Sequence, residues 1–252
     1  MSEYSLQARG LSRSFGGLKA TNNVSFDVAH GTITALIGPN GAGKTTVFNL
    51  ITNLFPVDSG EILFEGQRID KLQPVQIAEL GLIRTFQTAR VFPGMTVLEN
   101  VMVGRSRLAK HGLLKQALWS GACRRDEFNL TRRAESLLQL AGLSGYRDTH
   151  AVELPMGAQK LLEILRALMA HPKLLLLDEP AAGLNDTETG ELAALLLAIR
   201  ASGITVLIVE HNMALVMGVA DQIVVLETGA VIASGVPADI QKNERVIKAY
   251  LG

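Results

Sequence analysis

A glycine-rich segment, GPNGAGKTT at 38–46, constrains the fold of this chain more than any other feature. It follows the apolar run Thr32–Ile37 and precedes a helical pattern over Lys44–Leu54. The segment matches GxxxxGK[ST], and a position between a strand and a helix is the context that this pattern requires. Its glycines let successive backbone N–H groups turn toward one point, and the following helix adds its positive end. The sequence therefore predicts a phosphate-binding loop after a buried strand.

Every residue of this segment is a candidate phosphate ligand: Gly38, Pro39, Asn40, Gly41, Ala42, Gly43, Lys44, Thr45 and Thr46. Lys44 is expected to reach the β- and γ-phosphates of a nucleotide, and the Thr45 hydroxyl is expected to bind Mg²⁺. The alternative is a glycine-rich turn with a chance lysine. The complete match in its strand-to-helix context favours the phosphate loop.

A second acidic element ends another apolar run, where Asp178 and Glu179 follow the four leucines 174–177. In open α/β sheets, ligands bind at the carboxyl ends of the strands, so both carboxylates are expected in the ligand crevice. Asp178 would hold Mg²⁺ through water, and Glu179 would polarise the attacking water. Taken alone, the segment could be an ordinary strand end, but the upstream phosphate loop favours a nucleotide site.

Hydrophobic periodicity predicts an α/β fold. Val24, Phe26 and Val28 alternate with polar residues, as in a half-buried strand. Beyond Pro172 the expected elements are strand, helix, strand and helix, at Leu174–Leu177, Glu188–Arg200, Thr205–Val209 and Asn212–Val219. Such alternation is typical of a covered parallel sheet. The mostly helical middle, 96–169, interrupts it and is interpreted as an inserted subdomain, with a basic and irregular stretch at 124–133.

Composition narrows the class of protein. The 252 residues carry 24 Lys plus Arg against 24 Asp plus Glu, and this zero net charge argues against a nucleic-acid partner. The single cysteine, Cys123, cannot form an internal disulfide, which favours a reducing compartment. No apolar run approaches the roughly 20 residues that a bilayer span needs, and no signal peptide is recognised, so a soluble chain is expected.

The motifs occur in the order and approximate spacing of the ATP-binding cassette (ABC) ATPases, which the whole chain resembles. After the phosphate loop come Gln87, a signature segment at 154–159, the Asp178-Glu179 strand end and His211. The resemblance implies a single ATPase domain over 1–252. It would have a P-loop NTPase core, an antiparallel β subdomain and a helical subdomain inserted at roughly 95–165.

The resemblance also implies roles for individual residues. Gln87 would contact Mg²⁺ and water, His211 would contact the γ-phosphate, and Phe15 would stack on adenine, for which a ring face is sufficient. The metal ligands would then be Thr45, Gln87 and Asp178, and the cofactors ATP and Mg²⁺. Taken alone, without the order and spacing of the other motifs, Gln87 would be a surface amide, His211 a strand-end histidine and Phe15 a core aromatic.

Two segments depart from the family pattern. The usual Leu-Ser-Gly-Gly-Gln signature is replaced here by Leu154, Pro155, Met156, Gly157, Ala158 and Gln159. Pro155 has neither the serine hydroxyl nor an N–H group, although a helix expected at Ala158–Met169 could still direct its positive end at an anion. In this family the signature faces the ATP of the partner subunit. The second departure is Asn185, where many members carry aspartate.

A finer resemblance is to the ATPase subunits of branched-chain amino-acid importers, the LivG type. It is carried by the segments at 15–20, 84–88, 95–100, 178–184 and 249–252 and by a basic insertion at about 105–133. It implies permease subunits and a second ATPase, or a second copy of this chain, as partners on the inner face of the cell membrane. The alternatives are an importer for urea or other amides, a non-transport ATPase of the same superfamily, or a regulator that binds ATP without turnover.

Overall fold

The computed structural model of the chain describes residues 3–85, 91–105 and 121–251, with the backbone alone at 121–124 and 251. Within these ranges, no helix has the length and apolarity to cross a lipid bilayer. The chain divides into two compact units. The first comprises Met1–Gln87, Lys173–Gly183 and Leu196–Gly252, and the second Thr88–Pro172 and Leu184–Leu195.

The strands form two sheets, both in the first unit. In chain order they are β1 Tyr4–Phe15, β2 Leu18–Ala29, β3 Ile33–Ile37, β4 Ser59–Phe64, β5 Gln67–Arg68, β6 Leu82–Arg84, β7 Leu174–Asp178, β8 Thr205–Val209, β9 Gln222–Glu227 and β10 Ala230–Gly235. An antiparallel sheet has the order β2-β1-β4-β5, and Val24, Phe26 and Val28 are buried in it as the alternation predicts. The second sheet has the order β10-β9-β3-β8-β7-β6 and is parallel except for the β9–β10 hairpin.

The central strands of the parallel sheet are buried over their whole length, and Leu36, Leu176 and Leu207 share one hydrophobic cluster with residues of the antiparallel sheet. All residues of β3, β7 and β8 are buried, as expected for a covered parallel sheet. The register pairs Asp178 with Val209, so the carboxyl ends of β7 and β8 lie side by side. On the side away from β7, β8 pairs with β3. The three strand ends that carry the predicted motifs therefore meet at one edge.

The helices in chain order are α1 Lys44–Ile51, α2 Pro74–Glu79, α3 Val97–Val103, α4 Gly121–Leu140, α5 Met156–Leu168, α6 Asp186–Ala201, α7 Met213–Val219, α8 Pro237–Ile240 and α9 Glu244–Leu251. One hydrophobic cluster joins side chains of both sheets to α1, among them Phe26, Phe48 and Leu207. Helix α1 is shorter than the predicted Lys44–Leu54. It ends where Asn53 takes a left-handed conformation, φ +50°, with its side-chain amide donating to the Leu72 carbonyl at 2.7 Å.

The second unit is helical. Helix α3 packs against both α4 and α5, and it begins with a reciprocal cap in which Thr96 and Glu99 exchange hydrogen bonds. The prediction of an irregular stretch at 124–133 was wrong, because these residues lie in α4. Burial of Ala134 and Leu138, four residues apart, gives that helix a packed face despite its many charges.

Candidate nucleotide site

The loop between β3 and α1 has a backbone that only glycine accommodates at its two ends. Gly38 and Gly43 have φ of +151° and +96°. A Cβ atom at Gly38 would overlap the backbone carbonyl of Leu226, and one at Gly43 would overlap that of Ala20. The two glycines therefore permit both the conformation and the close packing of the loop against its neighbours.

Lys44 places its ammonium inside this loop. Its side chain is 7% exposed, and Nζ donates to the carbonyl oxygens of Gly38 at 2.7 Å and Pro39 at 2.9 Å. Burial lowers the pKa of Lys44, while the carboxylates of Glu179 and Asp178 act in the opposite direction. A cation that is partly stripped of water and held by neutral carbonyls is suited to pair with an anionic ligand.

Asp178 lies at the end of β7, and its two carboxylate oxygens differ in their surroundings. Its Oδ2 accepts from Arg84 Nη2 at 2.7 Å. Its Oδ1 is buried and has no hydrogen-bond partner among the residues that the structure describes. An unpartnered buried carboxylate oxygen carries a cost that a cation or an ordered water at this position would remove. This orphaned atom fits the role predicted for Asp178 at a magnesium site.

The role of Arg84 was missed by sequence reasoning. Besides Asp178, its guanidinium donates to Asn49 Oδ1 at 2.7 Å and lies over the Phe48 ring at 5.5 Å. Arg84 therefore fixes the orientation of the Asp178 carboxylate from the neighbouring strand β6. The sequence shows apolar runs at Leu82–Arg84 and at Leu174–Asp178, but nothing in it says that the two strands are neighbours.

Glu179 has a strained backbone. Its φ is +49°, a left-handed conformation that costs a non-glycine residue about 1–2 kcal/mol. Its N–H donates to the carbonyl of Val209 at 2.9 Å, which links it to the end of β8. His211 follows β8, and its Nδ1 lies 4.0 Å from Glu179 Oε2. Strain of this kind persists where surrounding contacts fix the backbone, and it is concentrated at functional sites.

A buried glutamate beside His211 was also missed. Glu210 is fully buried, and its carboxylate accepts from the backbone N–H groups of Ala181, His211 and Asn212, at 2.6, 3.0 and 3.2 Å. In the sequence, Glu210 stands out only as the neighbour of His211, the predicted γ-phosphate contact. A charged residue directly after the apolar strand β8 was the one signal available.

Phe15 closes β1 and remains 40% exposed. Its ring meets that of Phe55 edge to face, with 5.4 Å between the centroids, and the Arg13 guanidinium lies 5.1 Å from its centroid. An exposed aromatic ring is compatible with the adenine contact predicted for it. Gln87, the predicted sensor of Mg²⁺ and water, lies outside the described residues.

The signature segment lies in the second unit at the start of α5. Pro155 occupies the N-cap position, where the absence of an N–H costs nothing, and the helix begins at Met156, two residues before the predicted start. The N–H of Gly157 donates to Glu188 Oε1 at 3.2 Å. A Cβ atom at Gly157 would lie 2.5 Å from the same oxygen, so a larger residue there would displace the Glu188 side chain from this contact.

Glu188 also caps its own helix. The N–H of Asn185 donates to Glu188 Oε2, and the N–H of Glu188 donates to Asn185 Oδ1, each at 3.0 Å. This reciprocal pair is a capping box at the start of α6. The Asn185 amide oxygen supplies the acceptor that an aspartate would provide, so the replacement preserves the cap.

Comparison with known proteins gives the family. Residues 21–182 match the model of the ABC transporter family, and residues 230–252 match that of the branched-chain amino acid ATP-binding cassette transporter. The chain is 44% identical to the high-affinity branched-chain amino acid transport ATP-binding protein LivG of Salmonella typhimurium, over 100% of this chain and 99% of that protein. BraF of Pseudomonas aeruginosa is 43% identical over the same shares.

Solved structures agree. An ATP-binding cassette of an ABC transporter superposes with a TM-score of 0.86 at 33% sequence identity, over 100% of both chains. A phosphate loop, an acidic strand end and an antiparallel sheet beside a parallel one define an ATP-binding cassette, a P-loop ATPase. The chain belongs to the ABC transporter family, as an ATP-binding protein of the branched-chain amino acid (LivG/BraF) type. The predicted fold class and family resemblance are thereby confirmed.

Proposed function

We propose that this chain is the ATP-binding and ATP-hydrolysing subunit of an importer for branched-chain amino acids. The observation that carries the hydrolytic role is the convergence of Lys44, Glu179 and His211 at one edge of the parallel sheet. The cargo is supported by the names of the full-length relatives LivG and BraF and by the match of 230–252 to the branched-chain cassette model.

In this proposal each site residue has a separate task. Glu179 is the general base that polarises the attacking water, His211 contacts the γ-phosphate, and Lys44 stabilises the phosphate charge. Gln87 senses the γ-phosphate, and Phe15 stacks on adenine. The backbone of the loop surrounds the phosphates through Gly38, Pro39, Asn40, Gly41, Ala42, Gly43, Lys44, Thr45 and Thr46. Catalysis is then a matter of positioning and electrostatics, without a covalent intermediate.

A magnesium ion is part of the proposal, and its residues are Thr45, Asp178 and Gln87. The Thr45 side chain is exposed in the first turn of α1, and Asp178 Oδ1 is a buried oxygen that has no hydrogen-bond partner in the described part of the chain. In the described ranges, no three His, Cys, Asp or Glu side chains are grouped to hold a metal ion. Magnesium suits such a site, because it keeps several waters and shares phosphate oxygens. When bound, it neutralises phosphate charge.

The chain is proposed to act as a single ATPase domain, 1–252, whose helical subdomain at roughly 95–165 transmits motion to permease subunits. ABC ATPases dimerise and work with permeases; the particular partner here is a second, related ATPase or another copy of this chain. The signature residues would face the ATP held by that partner: Leu154, Pro155, Met156, Gly157, Ala158 and Gln159. The assembly would lie on the cytoplasmic face of the cell membrane, and the chain would not bind nucleic acid.

Uptake of labelled substrates tests the cargo. A strain lacking this gene, complemented with the wild-type chain, should regain uptake of leucine, isoleucine and valine, whereas a Lys44→Ala variant should not restore it. Urea and acetamide serve as competing substrates in the same strain. Restored uptake of urea or acetamide alone would assign the chain to an amide importer, and an unchanged profile for all five compounds would contradict a transport role.

A further inference from the structure

The fully buried Glu210 joins two loops, one carrying Glu179 and the other carrying His211. One oxygen, Oε1, accepts from the N–H of Ala181, two residues after Glu179. The other, Oε2, accepts from the N–H groups of His211 and Asn212. The carboxylate therefore contacts the loop after β7 and the loop after β8 at the same time.

The loop after β7 is the one that holds a strained backbone. Glu179 keeps φ at +49°, and its own N–H is tied to the carbonyl of Val209. Two residues later, the N–H of Ala181 is tied to Glu210 at 2.6 Å, and the N–H of Ala182 donates to the Glu179 carbonyl. Contacts to Val209 and Glu210 thus bracket the strained residue, and the contact to Glu210 is made by its side chain. Such bracketing is what keeps an unfavourable conformation populated.

We propose that Glu210 is a positioning residue for ATP hydrolysis, which holds Glu179 and His211 in register with each other. The inference rests on the proposed function, since it assumes that Glu179 is the base and His211 the γ-phosphate contact. Glu210 itself is fully buried and so does not touch the nucleotide. Its effect is exerted through the backbone of both loops, whose side chains lie 4.0 Å apart at His211 Nδ1 and Glu179 Oε2.

The residue type matters, because three N–H donors converge on two oxygens. A carboxylate offers only acceptors, so both of its oxygens suit these donors. Glutamine would place an NH₂ group against one set of N–H donors and leave that loop without its acceptor. Aspartate would keep both oxygens on a side chain that is one methylene shorter, so it could not reach both loops. Both substitutions are expected to release one loop while leaving the fold and the phosphate loop in place.

The test compares Glu210→Gln with Glu99→Gln in the transporter purified with its permeases. Glu99 is a matched control, since its carboxylate also accepts a backbone N–H at 2.8 Å, from Thr96 in the second unit. A displacement of about 1 Å in a catalytic group can cost about 10²-fold in rate. We expect Glu210→Gln to lower kcat for ATP by about 10–100-fold with KM and ATP affinity nearly unchanged, and Glu99→Gln to retain wild-type kcat.

Hydrogen exchange distinguishes a local effect of Glu210 on the two loops from a general loss of stability. The amides of Ala181, His211 and Asn212 should exchange slowly in the wild-type chain and faster in Glu210→Gln, with the remaining core protected. If Glu210→Gln does not fold, Glu210→Asp is measured in its place with the same expected loss of kcat. Wild-type kcat in a folded Glu210 variant, or an equal loss of ATP affinity and of kcat, would overturn the inference.

Glu179→Gln, measured in parallel, shows whether a negative result contradicts the positioning role of Glu210 or the proposed function itself. If it abolishes turnover while Glu210→Gln retains it, the proposed function stands and the positioning role fails. If Glu179→Gln itself hydrolyses ATP at the wild-type rate, the proposed base assignment fails, and the role of Glu210 fails with it.

Discussion

Two helices of this chain, α1 in the first unit and α5 in the second, begin at segments that are predicted to face phosphate. The charged side chain beside the start of α1 is a cation, whereas the one beside the start of α5 is a carboxylate. At α1 the glycine-rich loop is accompanied by the buried cation of Lys44, held by backbone carbonyls. At α5 the N–H of Gly157 already donates to a protein carboxylate, that of Glu188. In both helices the N–H groups of the first turn have no acceptor within the helix itself. The side chain nearby decides whether that turn is prepared for a ligand or capped from within the chain.

The largest expected effect concerns Glu179, at the acidic strand end that follows β7. Glu179→Gln keeps the shape of the side chain but cannot act as a base, so ATP turnover should fall by about 10²–10⁴-fold. The ATP-bound dimer should accumulate and be visible by gel filtration with Mg-ATP. The exposed Glu244, changed to Gln, is the control. Wild-type hydrolysis by Glu179→Gln would show that Glu179 is not the base.

Removing the cation of the α1 region should have the next largest effect. Lys44→Ala leaves phosphate charge uncompensated in a partly desolvated loop. Charge-assisted hydrogen bonds of this kind are worth roughly 1.5–3 kcal/mol each, which corresponds to about a ten- to hundredfold loss of ATP affinity. Titration of the purified chain with nucleotide measures the change, and the exposed Lys242→Ala provides a matched loss of charge. Equal affinities in all three chains would contradict the phosphate-loop assignment.

The α5 region should respond in stability rather than in ATP affinity. Glu188→Gln turns one carboxylate oxygen into an NH₂ group, so either the Asn185 N–H or the Gly157 N–H loses its acceptor, and loss of one such hydrogen bond costs about 0.5–1.5 kcal/mol. Thermal or urea unfolding should report this loss, while nucleotide titration at Lys44 stays unchanged. Glu191→Gln, exposed on the same helix, is the control. A loss of ATP affinity in Glu188→Gln would erase the distinction between the two helix starts.

The smallest effect is expected at the signature itself. Pro155→Ser supplies the hydroxyl and the N–H that the family pattern has at this position, so it should alter turnover at the partner's site by a few fold. ATP affinity at Lys44 should remain nearly unchanged. The measurement uses the assembled transporter with each catalytic glutamate disabled in turn. If the chain forms a fully active homodimer, its two sites are identical and no such asymmetry will be found.

Local patterns in the sequence predicted the elements well where one short segment decides the outcome. β8 was predicted with the observed bounds, Thr205–Val209. The errors have tertiary or side-chain causes. The end of α1 coincides with the left-handed Asn53, whose side chain bonds to the distant Leu72 carbonyl, and α4 has a packed face where Ala134 and Leu138 are buried. Neither cause can be read from hydrophobic periodicity.

The sequence by itself determined the phosphate loop, the acidic strand end and the family, because each depends on consecutive residues whose spacing is visible. Only the tertiary structure decided which distant groups meet. Arg84 and Asp178 are 94 positions apart, Gly157 and Glu188 are 31, and Ala181 and Glu210 are 29. The first and last of these contacts depend on which strands are neighbours in the parallel sheet, and the other depends on how α5 and the start of α6 pack. Hydrophobic patterns predict that strands and helices are buried but leave their neighbours open, because burial is non-directional while hydrogen bonds require a particular partner.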